Sequence, residues 1–352
     1  MTTMLSTLDA NLPDETWDTW LARRRDAHIL QHRMWGELKA RFGWHIHRVA
    51  LADGDEIVAG AQVLLRRLPW SQSLAYIPKG PILDWDRAEL AHAVLEAIES
   101  VARRARAAVL LMEPDLVDGA DAISWLAGKG WRQAPRPIQP RSTIVIELDD
   151  DEVMLARMKS KWRYNVRLSA RKGVTVRPGS RDDLPAVYAL MRETARRDGF
   201  AIHTAGYYEA AYELFVPLRQ AEWLLAEHQG RLLAAIVVFA HGDRAWYFWG
   251  ASASRGRNLM PNHALQWAAM RWARDRGCRL YDLWGIPDEV GQNPAAYTSS
   301  DVGRSGGLWG VYRFKQGFGG RVVRFAGAWE KPISRPGYAF YRLGWRLRRG
   351  EA

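Results

Sequence analysis

The chain has 352 residues, of which 48% are hydrophobic and 25% charged, a composition typical of a globular protein with a substantial core. At this length two domains of ordinary size are expected. A formal net charge of +11 indicates an anionic partner such as nucleic acid, a phosphorylated metabolite or an acidic lipid surface, although scattered arginines also serve solubility alone. The single cysteine, Cys278, excludes an internal disulfide framework and is typical of a reducing cytoplasm.

Targeting signals are weak throughout the sequence. The N-terminal segment contains acidic residues and lacks the basic-then-apolar order of a secretory signal. The longest apolar run, residues 232–240, is about half the length that a spanning helix needs. We therefore expect a cytoplasmic protein that does not cross a membrane.

The first half of the chain predicts two strands, a helix and a strand. These elements fall at residues 56–68, 73–83, 86–107 and 108–115. Asp86 is the expected N-cap of the helix.

The second half of the chain predicts the same order of elements. Two strands within residues 230–252 are joined by a turn at 241–243. A helix at 262–277 is followed by a buried strand at 278–288. Both halves end in Pro-Asp, and chance similarity is the alternative to a duplication.

The repeated order predicts an α/β (α+β) protein of two tandem domains, each a mixed sheet flanked by helices. We place the first domain at residues 1–150 with 324–352, and the second at 151–323. The order of elements resembles the acyl-CoA N-acyltransferase (GNAT) fold. That fold holds the CoA pyrophosphate at a glycine-rich turn before a helix. Here Met260 and Pro261 occupy that turn, and residues 79–90 of the first copy are no better, so no CoA site is expected.

Five motifs make the resemblance more specific. They lie, in chain order, at residues 30–44, 75–82, 158–176, 277–287 and 310–320. Together they resemble the Fem-type (FemABX) family in its compact form, without a coiled-coil insertion. The resemblance implies an aminoacyltransferase that moves an amino acid, usually glycine, alanine or serine, from aminoacyl-tRNA to the peptide stem of a peptidoglycan precursor. It implies aminoacyl-tRNA as co-substrate and no bound cofactor.

The family's catalytic pair matches Phe314 and Lys315. A fixed cation stabilises the oxyanion that forms when an amine attacks an ester, which suits Lys315. Phe314 would exclude water or shape the path of the tRNA 3′ end. From spacing alone, the alternative for Lys315 is an exposed lysine on a strand that ends in a glycine turn.

Four residues match the acceptor-binding positions of the family. Lys39 matches a lysine on the acceptor's phosphates, and Glu113 an acidic residue of the acceptor cleft. Tyr207 is retained, whereas His203 replaces an arginine and would bind phosphate more weakly when neutral. The alternatives are a solvated Lys39, ordinary core packing for Tyr207 and an exposed strand end for Glu113.

Residues 154–172 predict one basic helix that could contact the phosphates of a tRNA acceptor arm. The residues singled out for that role are Lys159, Lys161, Arg163 and Arg167. A solvated charged face is the alternative. The arginine-rich tail, residues 341–352, could rest on anionic lipid at the inner face of the cell membrane or pack on the first domain.

Four histidines near the N-terminus carry no recognisable metal-ligand pattern, so no metal site is expected. The sequence thus favours an aminoacyl-tRNA-dependent transferase acting on a lipid-linked or UDP-linked peptidoglycan precursor. One alternative is a CoA-dependent N-acyltransferase acting on a small amine. Another is a tRNA- or membrane-binding protein that kept the fold and lost activity.

Overall fold

A computed structural model of the chain describes residues 5–8, 12–297 and 307–347. The chain divides into unit 1, Met1–Arg141 with Phe325–Ala352, and unit 2, Ser142–Arg324. The first boundary lies before the strand Ser142–Glu147, not after it as the sequence suggested. That strand pairs inside unit 2 with Leu280–Ile286 and with Arg321–Arg324, and this pairing fixes where unit 2 begins.

Unit 1 contains seven strands and five helices among the described residues. The strands are β1 Leu5–Leu8, β2 His45–Asp53, β3 Glu56–Leu68, β4 Gln72–Pro78, β5 Ala107–Glu113, β6 Arg132–Gln133 and β14 Trp329–Pro332. The helices are α1 Asp14–Arg23, α2 Arg33–Ala40, α3 Ala88–Arg104, α4 Asp121–Gly128 and α12 Arg335–Leu347.

One sheet of order β1-β2-β3-β4-β5-β14-β6 organises unit 1. All its pairs are antiparallel except β4 with β5, which the crossover helix α3 connects. The apolar stripe of α3 includes Leu90, Val94 and Ile98, at helical spacing, and packs in the core with Trp329 of β14. The C-terminal strand is therefore an interior part of unit 1.

Unit 2 contains seven strands and seven helices among the described residues. The strands are β7 Ser142–Glu147, β8 Thr175–Pro178, β9 Ala221–His228, β10 Arg231–His241, β11 Arg244–Ser252, β12 Leu280–Ile286 and β13 Arg321–Arg324. The helices are α5 Asp151–Arg157, α6 Ser160–Arg171, α7 Leu184–Asp198, α8 Ala205–Phe215, α9 Pro261–Arg274, α10 Asp288–Gln292 and α11 Gly307–Lys315.

The sheet of unit 2 has the order β13-β7-β12-β11-β10-β9-β8. Its single parallel pair is β11 with β12, and α9 is the crossover between them. The apolar run at residues 232–240 forms the buried strand β10. Unit 2 thus repeats the strand, strand, helix, strand order of unit 1, and the predicted tandem fold is confirmed.

Two local predictions are wrong. The basic helix expected at 154–172 is two helices, because Met158 is extended and the N–H of Lys159 donates to the carbonyl of Gly317 at 2.9 Å instead of continuing the helix. Asp86 does not cap α3, whose N-cap is Arg87 without a side-chain hydrogen bond. The helices of the described residues include none with the length and apolarity needed to cross a membrane.

Candidate active site

Lys315 is the last residue of α11 and is only 4% exposed. Its ammonium donates to the backbone carbonyls of Trp284 at 3.1 Å and Gly285 at 2.8 Å, and it lies 5.6 Å from the ring centre of Tyr247. Burial lowers the pKa of Lys315 to about 7, against the opposing charge of Asp282. The exposed strand lysine considered from spacing alone is therefore wrong.

The carbonyls that hold Lys315 lie just beyond the end of a parallel ladder. β11 and β12 pair only as far as Trp246 and Asp282, although both strands continue. In unit 1 the equivalent pair, β4 with β5, stays paired to Pro78 and Glu113. Only in unit 2 does the ladder end early, and the Lys315 ammonium lies at that point.

A backbone irregularity in β12 directs these carbonyls. The register of β12 against β7 shifts between Asp282 and Gly285, and Trp284 has a left-handed φ of 63°. The Asp282 carboxylate accepts from the Trp284 N–H at 2.7 Å and from the Thr143 hydroxyl. Since a left-handed φ is unfavourable for a bulky residue, these bonds stabilise the conformation that aims two carbonyls at Lys315.

Phe314, in the last turn of α11, belongs to an aromatic cluster with His263 and Phe318. Its ring lies 5.1 Å from that of Phe318 and 5.2 Å from that of His263. Its carbonyl accepts from the indole N–H of Trp162 at 2.8 Å. Burial lowers the pKa of His263 to about 4, so this imidazole is neutral near pH 7. Phe314 is half-buried and fixes the segment that carries Lys315.

The four residues expected to contact tRNA differ in how far their side chains are free to bind a ligand. Lys161 and Arg167 are exposed on α6. Arg163 donates to the carbonyls of Leu155, Ala156 and Met158, and so satisfies the C-terminal end of α5. Lys159 is exposed but donates to the side chain of Gln316 at 2.9 Å, next to Lys315 in sequence. Because its guanidinium is bonded to the end of α5, Arg163 has a structural role, whereas Lys159 remains a weaker candidate for tRNA contact.

His203 and Tyr207 lie together in unit 2. Their rings stack with centroids 3.9 Å apart, and both lie edge-on to Trp249. His203 is exposed, whereas Tyr207 is only 4% exposed and burial raises its pKa. Phe248, next to Trp249, packs at 4.5 Å on Trp284, so aromatic side chains connect this pair to the backbone that holds Lys315.

In unit 1, Glu113 is buried, and the exposed strand end considered from the sequence is wrong. It is 3% exposed at the end of β5 and accepts from the Tyr76 hydroxyl and from the N–H groups of Ile138 and Gln139 at 2.7 and 2.9 Å. Burial raises the pKa of Glu113, while these hydrogen bonds and the charge of Lys79 oppose the shift.

Lys39 of α2 is half-buried, with its ammonium 5.1 Å from the ring centre of Trp35. Burial and the neighbouring positive charge of Arg66 lower its pKa to about 8. Arg66 itself lies over the ring of Trp44 at 5.5 Å. Two cations next to each other favour an anionic ligand, which would relieve their repulsion. Arg66 was not predicted as a binding residue, because its position on β3 gave no signal in the sequence.

The turn before α9 does not have the composition of a CoA pyrophosphate site. Met260 has a left-handed φ of 58°, and Pro261 at the first helical position has no N–H to donate. Within the described ranges no group of three or more His, Cys, Asp or Glu residues could hold a metal ion. In the tail, α12 ends at Leu347, and Arg348 and Arg349 lie outside the described residues.

Comparison with known proteins decides the family. The sequence profile described as the FemAB family matches residues 12–121, 127–229 and 218–344. The chain belongs to the FemAB family. This confirms the resemblance drawn from the five motifs.

Relatives of this FemAB chain agree along most of its length. It is 27% identical to a lipid II:glycine glycyltransferase of Staphylococcus saprophyticus, over 86% of this chain and 89% of that protein. It is 24% identical to a lipid II:glycine glycyltransferase of Staphylococcus aureus, over 93% of each. These relatives support a transferase activity.

Solved structures agree with the fold. The crystal structure of FemX matches with a TM-score of 0.84 at 22% identity, covering 95% of this chain and 99% of that one. A tandem GNAT protein from the clavulanic acid biosynthesis pathway matches with a TM-score of 0.54 at 13% identity, over 94% of this chain and 99% of that one. Both likenesses show the doubled fold.

Proposed function

We propose that this FemAB protein transfers an amino acid from aminoacyl-tRNA to the peptide stem of a peptidoglycan precursor and so builds the interpeptide bridge. The observation that carries the proposal is the buried Lys315 ammonium, held by two backbone carbonyls in a chain whose relatives are glycyltransferases. Those relatives are named for lipid II, which favours a lipid-linked acceptor over a UDP-linked one.

The reaction is an ester aminolysis. The acceptor amine attacks the ester carbon of the aminoacyl-tRNA, an amide C–N bond forms, and the C–O bond to the tRNA ribose breaks. The amine nitrogen loses one proton, and the ribose hydroxyl gains one. A charged Lys315 has three N–H donors, of which two are accepted by carbonyls in the described part of the chain, and the third would stabilise the oxyanion.

Binding roles follow from charge and exposure. In unit 1, Lys39 and Arg66 would bind the acceptor's phosphates, because an anion next to both cations relieves their repulsion. Glu113 would help to position the acceptor through Tyr76. In unit 2, exposed Lys161 and Arg167 would contact the tRNA backbone, with Lys159 as a weaker candidate.

The remaining acceptor-binding candidates are His203 and Tyr207, which would offer the acceptor a stacked aromatic surface in place of a bidentate arginine. Phe314 would shape the path of the tRNA 3′ end. We place the protein in the cytoplasm, in peripheral contact with the inner face of the cell membrane. The reaction uses aminoacyl-tRNA as co-substrate and no bound cofactor.

Label transfer tests the proposal. Purified protein would be incubated with a muropeptide acceptor and either labelled aminoacyl-tRNA or labelled acetyl-CoA, with glycyl, alanyl and seryl cargo compared. We expect label only from aminoacyl-tRNA, and we expect Lys315→Ala to lower turnover by about 10²-fold or more. Lys129→Ala, an exposed lysine of unit 1 outside the proposed binding positions, serves as control. Transfer only from acetyl-CoA, or an unaffected Lys315→Ala, would contradict the proposal.

A further inference from the structure

An exposed apolar surface lies at the hairpin end of the sheet in unit 1. Trp70, in the turn between β3 and β4, is 76% exposed, the largest value among the exposed large hydrophobic residues that the structure describes. Phe340 and Leu343 on α12 are 52% and 50% exposed. The rings of Trp70 and Phe340 lie 5.0 Å apart, so residues distant in sequence form one patch.

The backbone conformation of this turn gives no reason for a tryptophan at position 70. Trp70 and Ser71 have left-handed φ angles of 57° and 55°, a conformation that hairpin turns usually give to Asn and Gly. A bulky residue is unfavourable there. The hairpin is also held in place, since Gly337 at the start of α12 packs against the side chain of Gln72. A fixed turn therefore presents the indole to solvent.

Positive charge surrounds this patch. β3, its turn and β4 contain no Asp or Glu between Ile57 and Pro78, and α12 contains none between Arg335 and Leu347. Exposed arginines at this end of the sheet are Arg66, Arg67, Arg104, Arg106 and Arg335. Ser73 bonds to the carbonyls of Ala105 and Arg106, which places the C-terminal end of α3 beside the hairpin.

The acidic residues next to these elements are paired. Glu99 of α3 lies 2.5 Å from the ammonium of Lys331 and 3.5 Å from the guanidinium of Arg103. Glu330 is 2% exposed and accepts from Tyr338 and Arg342. The outward charge at this end is therefore basic.

We propose that Trp70, Phe340 and Leu343 form a membrane-contact surface that inserts into the interface of an anionic bilayer while the surrounding arginines contact lipid phosphates. Tryptophan and phenylalanine beside arginine are the composition of interfacial lipid-binding surfaces. A nucleic acid would use the arginines, and unpaired bases could stack on Trp70 and Phe340, but the aliphatic side chain of Leu343 would have no partner. An anionic bilayer offers phosphates to the arginines and an apolar interior to the side chains of Trp70, Phe340 and Leu343.

The surface also suggests how a lipid-linked acceptor is reached. Arg66, next to Lys39, lies on β3 shortly before the Trp70 turn. An acceptor held in a bilayer that Trp70 enters would carry its phosphates to the same end of the sheet. The proposed function includes peripheral contact with the membrane, and Trp70, Phe340 and Leu343 give that contact a surface. The route to the acceptor rests on the proposed function, whereas vesicle binding can be measured without it.

Vesicle cosedimentation tests the surface without tRNA or acceptor. We expect the protein to bind vesicles containing phosphatidylglycerol at low salt, to bind phosphatidylcholine vesicles weakly, and to dissociate as salt is raised. The variant Trp70→Ser/Phe340→Ser/Leu343→Ser should lose about tenfold or more in partitioning. The matched control is Val153→Ser/Leu218→Ser, two exposed apolar residues of unit 2. Equal binding by the triple variant and wild type would overturn the proposal.

Further readouts separate other partners and guard against misfolding. Loss of tRNA binding by the triple variant with unchanged vesicle binding would assign the surface to RNA, and conversion of a dimer to a monomer would assign it to a second copy. Either result overturns the proposal.

If the triple variant does not fold, a fluorophore on Ser71→Cys in a Cys278→Ser background provides a second test. Its emission should brighten and shift to the blue with anionic vesicles. The same probe on Asp243→Cys, in a turn of unit 2, should not. No shift at position 71 would contradict insertion.

Discussion

At the scale of single residues, Lys315 shows how surroundings change the chemistry of a common side chain. Burial between Tyr247 and the carbonyls of Trp284 and Gly285 brings its pKa to about 7, against an ordinary value of 10.5. The ammonium is then the main form below pH 7 and the neutral amine above it. A side chain that is fully charged on the surface becomes a titrating group here.

The pH dependence of transfer follows from this pKa. If charged Lys315 stabilises the oxyanion, its contribution is present below pH 7 and is lost as pH rises through about 7. We expect the single-turnover rate to show a break near that pH. Lys315→Arg, whose guanidinium stays charged, should lack the break even if its rate is lower. A rate that rises with pH and levels off above about 7 would instead indicate that neutral Lys315 acts as a base.

At the scale of elements, the irregularity in β12 positions the two carbonyls that hold Lys315. Asp282 is 6% exposed and holds the left-handed Trp284 through its N–H, and its charge also favours the ammonium of Lys315. One side chain therefore stabilises the backbone conformation that aims the carbonyls and also favours the charged form of the lysine, against the larger effect of burial. This makes Asp282 a positioning residue for Lys315.

Two substitutions separate these effects. Asp282→Asn keeps an oxygen that can accept from Trp284 but removes the charge, so the break near pH 7 should move to lower pH with little loss of folding stability. Asp282→Ala removes both and leaves the Trp284 N–H without this acceptor, which should cost roughly 1–3 kcal/mol in the free energy of unfolding. Stopped-flow transfer and urea unfolding measure the two effects. Asp182→Asn, an exposed carboxylate of unit 2, is the control, and a shared shift would refute the assignment.

Helices and strands with a regular apolar pattern could be predicted from the sequence, whereas features that depend on contacts between distant residues could not. The crossover helices α3 and α9 and the buried strands β5 and β12 follow local apolar patterns, which is why the duplication could be detected. The break at Met158 depends on a hydrogen bond to the carbonyl of Gly317, which no local pattern encodes. The family resemblance placed Lys315 in the site, but its burial depends on strands distant in sequence.

At the scale of the whole molecule, the two units differ in how the chain builds them. Unit 2 is one continuous segment, whereas unit 1 takes its last strand from the C-terminal part of the chain. β14 lies between β5 and β6, and its Trp329 is 5% exposed in the core of unit 1. The fold of unit 1 therefore requires residues that follow the whole of unit 2.

Truncation tests this dependence. A chain ending at Arg324 lacks β14, so β5, which is buried along its whole length, would become an unpaired edge over an opened core. We expect unit 1 to lose its cooperative unfolding transition, since truncating a single buried tryptophan to alanine already costs about 3–5 kcal/mol. A chain ending at Ser334 keeps β14 and loses α12, and it should retain a weakened transition.

Calorimetry together with amide hydrogen exchange distinguishes the two chains. In the chain ending at Arg324, amides of β3 and β4 should exchange freely while those of β10 stay protected. Protection of β3 and β4 in the chain ending at Arg324 would mean that unit 1 folds without its C-terminal strand.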